Sequence, residues 1–247
     1  MTGVQTCALP ISTYTLVVPS TQATVKFRPF LVKEEKALLI AQQSEDPLVM
    51  INTLKDVIKS CVQDNIDINK LAIFDLEYIF LQLRGKSVGE TIDLYLPCDE
   101  DHGEQNEKAK TLLTLDINDI KVEVGENHTN KFELFGDVGV VMKYPTIEVL
   151  KQLEGLDEAD LDKIFEIIAL SIDYIYQGDQ LFYGKEQKKE ELLAFVNNLS
   201  SEQFVRIQSF FETMPKLKKN VEYNCPVCGR HHSKMLEGIQ KIGRAHV

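Results

Sequence analysis

Between Phe74 and Glu90 the chain reads FDLEYIFLQLRGKSVGE, and Leu76, Ile79, Phe80 and Leu83 fall at i, i+3, i+4 and i+7. That spacing predicts a short helix with one buried stripe. Asp75 stands where it can cap the helix start. Arg84 and Gly85 supply a cation and a left-handed position at its end, where unpaired carbonyls and the negative end of the dipole call for both. From Thr91 the period changes to two, with Ile92, Leu94 and Leu96 facing one way. The stretch is therefore a helix-to-sheet junction around which the other elements must be arranged.

Upstream of it, Thr15 to Val18 and Thr24 to Phe27 read as a hairpin around Pro19-Ser20-Thr21, ended by Arg28-Pro29-Phe30. Two helices follow, one over Lys33 to Gln43. The other opens at Asp46-Pro47 and carries Ile51, Leu54, Ile58 and Val62 on one face. These two and the junction helix are expected to pack as a small bundle.

Downstream, residues 97–110 hold seven charged side chains and no apolar period, so they read as a loop. Leu113, Leu115 and Ile117, then Ile120, Val122 and Val124, continue the sheet across an Asn118-Asp119 turn, and Val138, Val140, Met142 and Tyr144 form a further strand. Ile147, Leu150 and Leu153 suggest a short helix broken at Gly155. A long one is expected from Asp157 to Gly178, with Leu161, Ile164, Ile168, Ile172 and Ile175 on one side. Leu192, Leu193, Phe195 and Val196 mark another helix behind the charge run 185–191. Ser200-x-x-Gln203 is a capping box for a last one bearing Phe204, Ile207, Phe211 and Met214, stopped by Pro215.

The resulting class is α+β: helical N-terminal and C-terminal parts flank a central antiparallel β region, with a C-terminal zinc-knuckle-like hairpin. The divisions are 13–90 for the first hairpin and helical bundle, 91–144 for the β region, 145–215 for the second helical region and 216–241 for the knuckle. Residues 1–12 and 242–247 look like translated sequencing adapter and are expected to be foreign to the fold.

A formal charge of −11 sets the chain against a nucleic-acid backbone, and no apolar run reaches the ~20 residues of a membrane span. A soluble intracellular protein with no membrane partner is expected, and nucleic acid is disfavoured. Lys216, Lys218 and Lys219 form a basic patch better suited to an acidic protein partner than to RNA.

Cysteine carries the one specific chemical signal. With Cys7 in the foreign end, Cys61, Cys98, Cys225 and Cys228 remain, and Cys225-Pro226-Val227-Cys228-Gly229 can grip one tetrahedral ion between two thiolates. His231 or His232 offers a third ligand. The fourth is absent locally, so Cys98 and His102 stand as distant candidates, alongside ligands beyond the C-terminal end. A structural zinc, a knuckle that has lost its metal and a redox dithiol are all open readings of this pair. Lone His128 sits in a turn and is expected to be solvated, as are Asp99 and Asp101, an acid pair that could otherwise bind a cation. No G-x-S-x-G, phosphate-binding loop or dinucleotide glycine pattern occurs, and no enzymatic activity is expected.

Several motifs in one order support a family comparison. Phe27-Arg28-Pro29-Phe30, Glu34-Glu35-Lys36, Leu38-Leu39, then Phe74-Asp75 through Leu83-Arg84 to Ser87-Val88-Gly89-Glu90, resemble the baseplate hub assembly protein family of T-even-type contractile-tailed bacteriophages. Met142-Lys143-Tyr144-Pro145, Ile172 to Tyr176, and Phe210 to Leu217 leading into the cysteine turn continue the likeness. The resemblance implies a non-enzymatic protein that joins the hub or chaperones it. Its partners would be other baseplate hub proteins, and its location the virion tail baseplate or the infected host cytoplasm during assembly. Residues 27–30 and the region from Lys216 to the knuckle are the expected contact surfaces. A zinc-knuckle protein that binds nucleic acid or regulates is the alternative.

Overall fold

The computed structural model describes residues 12–44, 47–152 and 161–238. The adapter-like ends, 1–12 (except Ser12) and 242–247, lie outside them, as do residues 239–241, Asp46, and the expected helix positions Leu153, Gly155 and Asp157.

Strands β1 (Tyr14–Val17) and β2 (Thr24–Phe27) pair antiparallel, and α1 (Val32–Gln42), α2 (Pro47–Cys61) and α3 (Ile73–Ser87) follow. A first core forms here from Leu16, Val25 and Phe27 of the hairpin, Val57 and Ile58 of α2, and Leu76, Ile79 and Leu83 of α3, with Phe80 partly buried against it. The two aromatic rings of residues 27–30 are not available as a contact surface. Phe27 and Phe30 are buried in this core, and the Arg28 guanidinium donates at 2.9 Å to buried Glu34, whose other oxygen accepts the Leu31 N–H. Burial alone would raise the Glu34 carboxyl, but Arg28 and the Leu31 N–H outweigh it and hold the group below its ordinary value.

Two details of the junction helix differ from the reading of its sequence. The cap position is Ala72, and Asp75, three residues on, reaches back to accept its N–H at 3.1 Å and that of Ser20 at 2.9 Å. Asp75 is fully buried, which raises its carboxyl above the ordinary value against the pull of those hydrogen bonds. Gly85 stays helical and buried, where a Cβ would lie 3.6 Å from Ile117. The positive φ falls instead at Gly89, and the Arg84 side chain donates to the carbonyl of Thr91 at 3.3 Å.

Beyond α3, β3 (Thr91–Pro97) pairs antiparallel with β4 (Lys110–Asp116), and β5 (Lys121–Glu123) comes after a tight turn at Ile117–Asp119. The charged loop between β3 and β4 holds a 3-10 turn over Gly103–Ala109. The chain then forms β6 (Lys131–Phe135), β7 (Val138–Met142), α4 (Ile147–Lys151), α5 (Leu161–Leu170), β8 (Ile172–Gln177), β9 (Gln180–Tyr183), α6 (Lys189–Asn197), α7 (Ser201–Thr213), β10 (Lys216–Asn224) and β11 (His231–Glu237). The capping box is present: Ser200 Oγ accepts the Gln203 N–H, and Gln203 Oε1 accepts that of Ser200 at 2.8 Å.

The long helix expected up to Gly178 stops at Leu170. Ile164, Ile168, Ile172 and Ile175 satisfy helical spacing, yet Ile172 to Gln177 is rich in β-branched and aromatic residues, and Gly178, at φ 55°, closes a hairpin into β9. Strand β8 is then flanked by β7 and β9, all antiparallel, in a sheet ordered β6-β7-β8-β9. A hairpin therefore interrupts the expected second helical region. Strand β6, to which the sequence reading assigns no element, alternates Phe132 and Leu134 inward.

Helix α3 borders a second core as well. Leu81 joins Ile92, Leu94 and Leu96 of β3, Leu115, Ile117, Leu217, Val221 and Tyr223, beneath the two-stranded sheet β3-β4 and the three-stranded sheet β11-β10-β5. The third core gathers β6, β7, β8, α5, α6 and α7 around Met142, Ile168, Ile172, Leu192, Ile207 and Phe210. Phe74, at the start of α3, meets Tyr144 edge-on at 5.1 Å, and Tyr144 stacks on Phe210 at 5.4 Å, so one aromatic chain ties α3 to that core.

His128 is not solvated but half-buried against this chain, with its ring 5.3 Å from Phe210. Thr213 spends its hydroxyl hydrogen on the Ser209 carbonyl at 2.7 Å. His128 Nδ1 therefore donates to Thr213 Oγ1 at 2.9 Å, and Nε2 accepts from the Tyr144 hydroxyl at 3.0 Å. Burial pushes the imidazole below its ordinary value.

Two outcomes follow for stability. Leu83→Ala empties part of the first core and should cost about 2–5 kcal/mol in denaturant unfolding. Because the folded His128 releases its proton more readily than the unfolded one, its contribution is complete above the ordinary value of 6.5 and is lost as pH falls through the lower folded value. Urea midpoints for the protein and for His128→Phe should therefore diverge between about pH 7.5 and pH 5, with the wild type showing the steeper acid loss.

Candidate metal centre

Two hairpins bring the chemistry-bearing residues together. The β3-β4 ladder ends at the pair Pro97 and Lys110, immediately before Cys98. The β10-β11 ladder ends at Asn224 and His231, immediately before Cys225. Both ends meet because β10 and β3 share the second core, and two hydrogen bonds lash them: Tyr223 Oη donates to the Pro97 carbonyl at 2.8 Å, and Thr111 Oγ1 to the Asn224 carbonyl at 2.9 Å. Each bond lands one residue from a cysteine.

The cysteine turn has the local shape its residues call for. The Cys225 N–H donates to the Arg230 carbonyl, the Gly229 N–H donates back to the Cys225 carbonyl, both at 2.9 Å, and Gly229 takes a φ of 72°. Across from it, the Glu100 N–H points at Cys98 Sγ at 3.4 Å, as the Val227 N–H does at Cys225 Sγ.

Four ligand atoms converge: those of Cys98, His102, Cys225 and Cys228 all lie within 4.8 Å of one another. Cys98 Sγ is 3.9 Å from Cys228 Sγ, and Cys225 Sγ is 3.6 Å from His102 Nε2. Together they could hold one metal ion. Cys225 is buried and Cys228 exposed. Burial would raise the Cys225 thiol, but the N–H groups of Cys228 and Val227 and the neighbouring thiols win and bring it down to about 6. Cys98 moves upward, through burial and the adjacent thiols of Cys225 and Cys228. Remote Cys61, in the first core, is pushed up to about 11 by burial.

The two distant candidates, Cys98 and His102, are thus in the cluster with both cysteines of the turn, whereas His231 and His232 are not among the four. His231 is exposed and faces Asn224 Oδ1 at 3.1 Å. His232 is buried beside the cluster. Its Nε2 lies 3.3 Å from Cys98 Sγ and its Nδ1 3.2 Å from Asp99 Oδ2, with the ring stacked on Tyr223. Asp99 and Asp101 serve different partners. Asp101 accepts from the Gly103 N–H and Asn106 Nδ2, both at 2.9 Å, while Asp99 serves His232. Sequence reasoning misses Tyr223 and Asp99 as parts of the site. The alternation of Val221, Tyr223 and Cys225 toward one face was the available signal for Tyr223.

Compared with known families, the chain matches T4 bacteriophage base plate protein over residues 11–242. It belongs to that family. No curated protein and no solved structure matches it. The base plate family match runs from before β1 to beyond β11, so both halves of the Cys/His cluster fall within it.

Proposed function

We propose that this base plate family member is a non-enzymatic tail protein that takes part in baseplate hub assembly through protein–protein contacts, as hub component or assembly chaperone, and that it holds a structural zinc. Membership of the base plate family along nearly the whole chain supports the baseplate part of this reading. Its surface supports a contact role. Val32, Leu39 and Ile40 on α1 are more than half exposed, and Leu181, Phe182 and Tyr183 on the edge strand β9 are all exposed. The cleft of about 540 Å³ beside Tyr144 is lined by Lys70, Lys143, Lys185 and Lys189 with one carboxylate, Glu148, and it gathers no histidine or cysteine. The working locations are the tail baseplate and the host cytoplasm during assembly, with other hub proteins as partners.

Zinc is the ion that the donor set fits. A tetrahedral zinc with Zn–S bonds of about 2.3 Å separates two sulfurs by about 3.8 Å and a sulfur from an imidazole nitrogen by about 3.6 Å. Two of the separations among the four ligand atoms, 3.9 and 3.6 Å, match those edges, and all lie within 4.8 Å. Three thiolates and one imidazole leave no position open, as in a structural site. Four basic residues around the cluster are paired: Lys218 with Glu237, Lys219 with Asp119, Arg230 with Glu100 and Lys234 with Asp99. That pairing weighs against the nucleic-acid reading.

Two measurements test this. Purified protein should carry one zinc, and its removal by chelator, or Cys225→Ser, should lower Tm by roughly 10 °C, the effect of about 4 kcal/mol of linked binding in a chain this long. A metal-free protein, or an unchanged Tm, refutes the zinc reading. Loss of nucleic-acid binding on zinc removal would favour the alternative. Cells infected with a phage lacking the gene should accumulate baseplate intermediates without a hub, and normal hubs would reject the assembly role.

A further inference from the structure

A buried imidazole must find partners for its ring nitrogens. Those of His232 are found at the cluster: Nε2 faces Cys98 Sγ at 3.3 Å, and Nδ1 faces Asp99 Oδ2 at 3.2 Å. Tyr223 holds the ring from one side at 5.0 Å with the planes 22° apart, and the Tyr223 hydroxyl is itself fixed on the Pro97 carbonyl, one residue from Cys98. Lys234 Nζ stands 3.9 Å from the other Asp99 oxygen and keeps that carboxylate in place.

We propose that His232 is the positioning residue of the metal centre, donating from Nε2 to the Cys98 sulfur, with Asp99 orienting its ring. The inference rests on the zinc reading of the four-residue cluster. A metal-bound thiolate has only lone pairs to offer, so the nitrogen facing it must carry hydrogen, while the Asp99 carboxylate stands against the other edge of the ring. Three thiolates around one divalent ion leave the centre rich in electron density, and a donor on one sulfur withdraws part of it, which lowers that sulfur's reactivity and fixes its lone pair toward the ion. Cys98 is less well supplied with donors than Cys225. Cys225 already receives N–H groups from its own turn, whereas Cys98 lies on the charged loop and receives a single N–H, from Glu100.

The test uses the full chain loaded with cobalt in place of zinc. His232→Phe removes the donor and keeps a ring to stack on Tyr223. It should shift the sulfur-to-cobalt charge-transfer band to longer wavelength, weaken metal affinity about 10- to 100-fold in chelator competition, and speed alkylation of Cys98 by iodoacetamide. His232→Gln, whose amide can still donate, should restore much of the band position and affinity, and Asp99→Ala should move both in the same direction as His232→Phe by a smaller amount. If His232→Phe leaves the band, the affinity and the Cys98 alkylation rate unchanged, the proposal is wrong. If His232→Phe does not fold, the His232→Gln and Asp99→Ala spectra decide by the same criterion. A wild-type protein that shows no cobalt band overturns the zinc reading itself and this inference with it, an outcome distinct from a wild-type band that the variants fail to move.

Discussion

Helix α3 is buried on two sides, and much of the molecule follows from that. Leu76, Ile79 and Leu83 close the first core against the N-terminal hairpin and α2, while Leu81 and Gly85 face the second, where Gly85 lets Ile117 come close. Residues two apart point roughly 200° apart on a helix, so the contacts of Ile79 and those of Leu81 cannot share one core. Its start is held by the buried Asp75 carboxylate, which joins Ser20 of the first turn to Ala72, and by Phe74 on Tyr144. Its end launches β3. The direction in which β3 leaves sets where Cys98 arrives.

The Cys/His cluster is a consequence of that direction. Cys98 and His102 are separated from Cys225 and Cys228 by more than a hundred residues, and neither hairpin holds four donors. The second core aligns the two hairpins so that their ladders end at the same level, and the Tyr223 and Thr111 hydrogen bonds keep them there. An ion at this point would cross-link two segments far apart in the chain, which removes more conformational freedom from the unfolded state than a local clip would.

Legibility followed the range of the interaction. The alternation of Ile92, Leu94 and Leu96, the Ser200 and Gln203 capping box, and the cysteine turn with its glycine are all settled within a few residues, and the structure has each of them. Ile164 to Ile175 misled because isoleucines three and four apart satisfy a helix and leave a strand equally open. The ladders with β7 and β9 decided for the strand beyond Leu170. Phe27 to Phe30 looked like an exposed aromatic motif because nothing local shows that α2 and α3 will cover it. Glu34, six residues from Arg28, gave no sign of being its buried partner.

By itself, then, the amino-acid order determined the periods, caps and turns, the two-thiol grip, the acidic surface and the family likeness, since each rests on neighbours a few bonds apart. The folded chain decided which donors complete the grip and that His232 stands behind Cys98 rather than among the four. Those choices depend on where two hairpins end relative to each other, a distance set by the packing of Leu81, Leu94, Leu217 and Tyr223 in a shared core and carried by no local pattern.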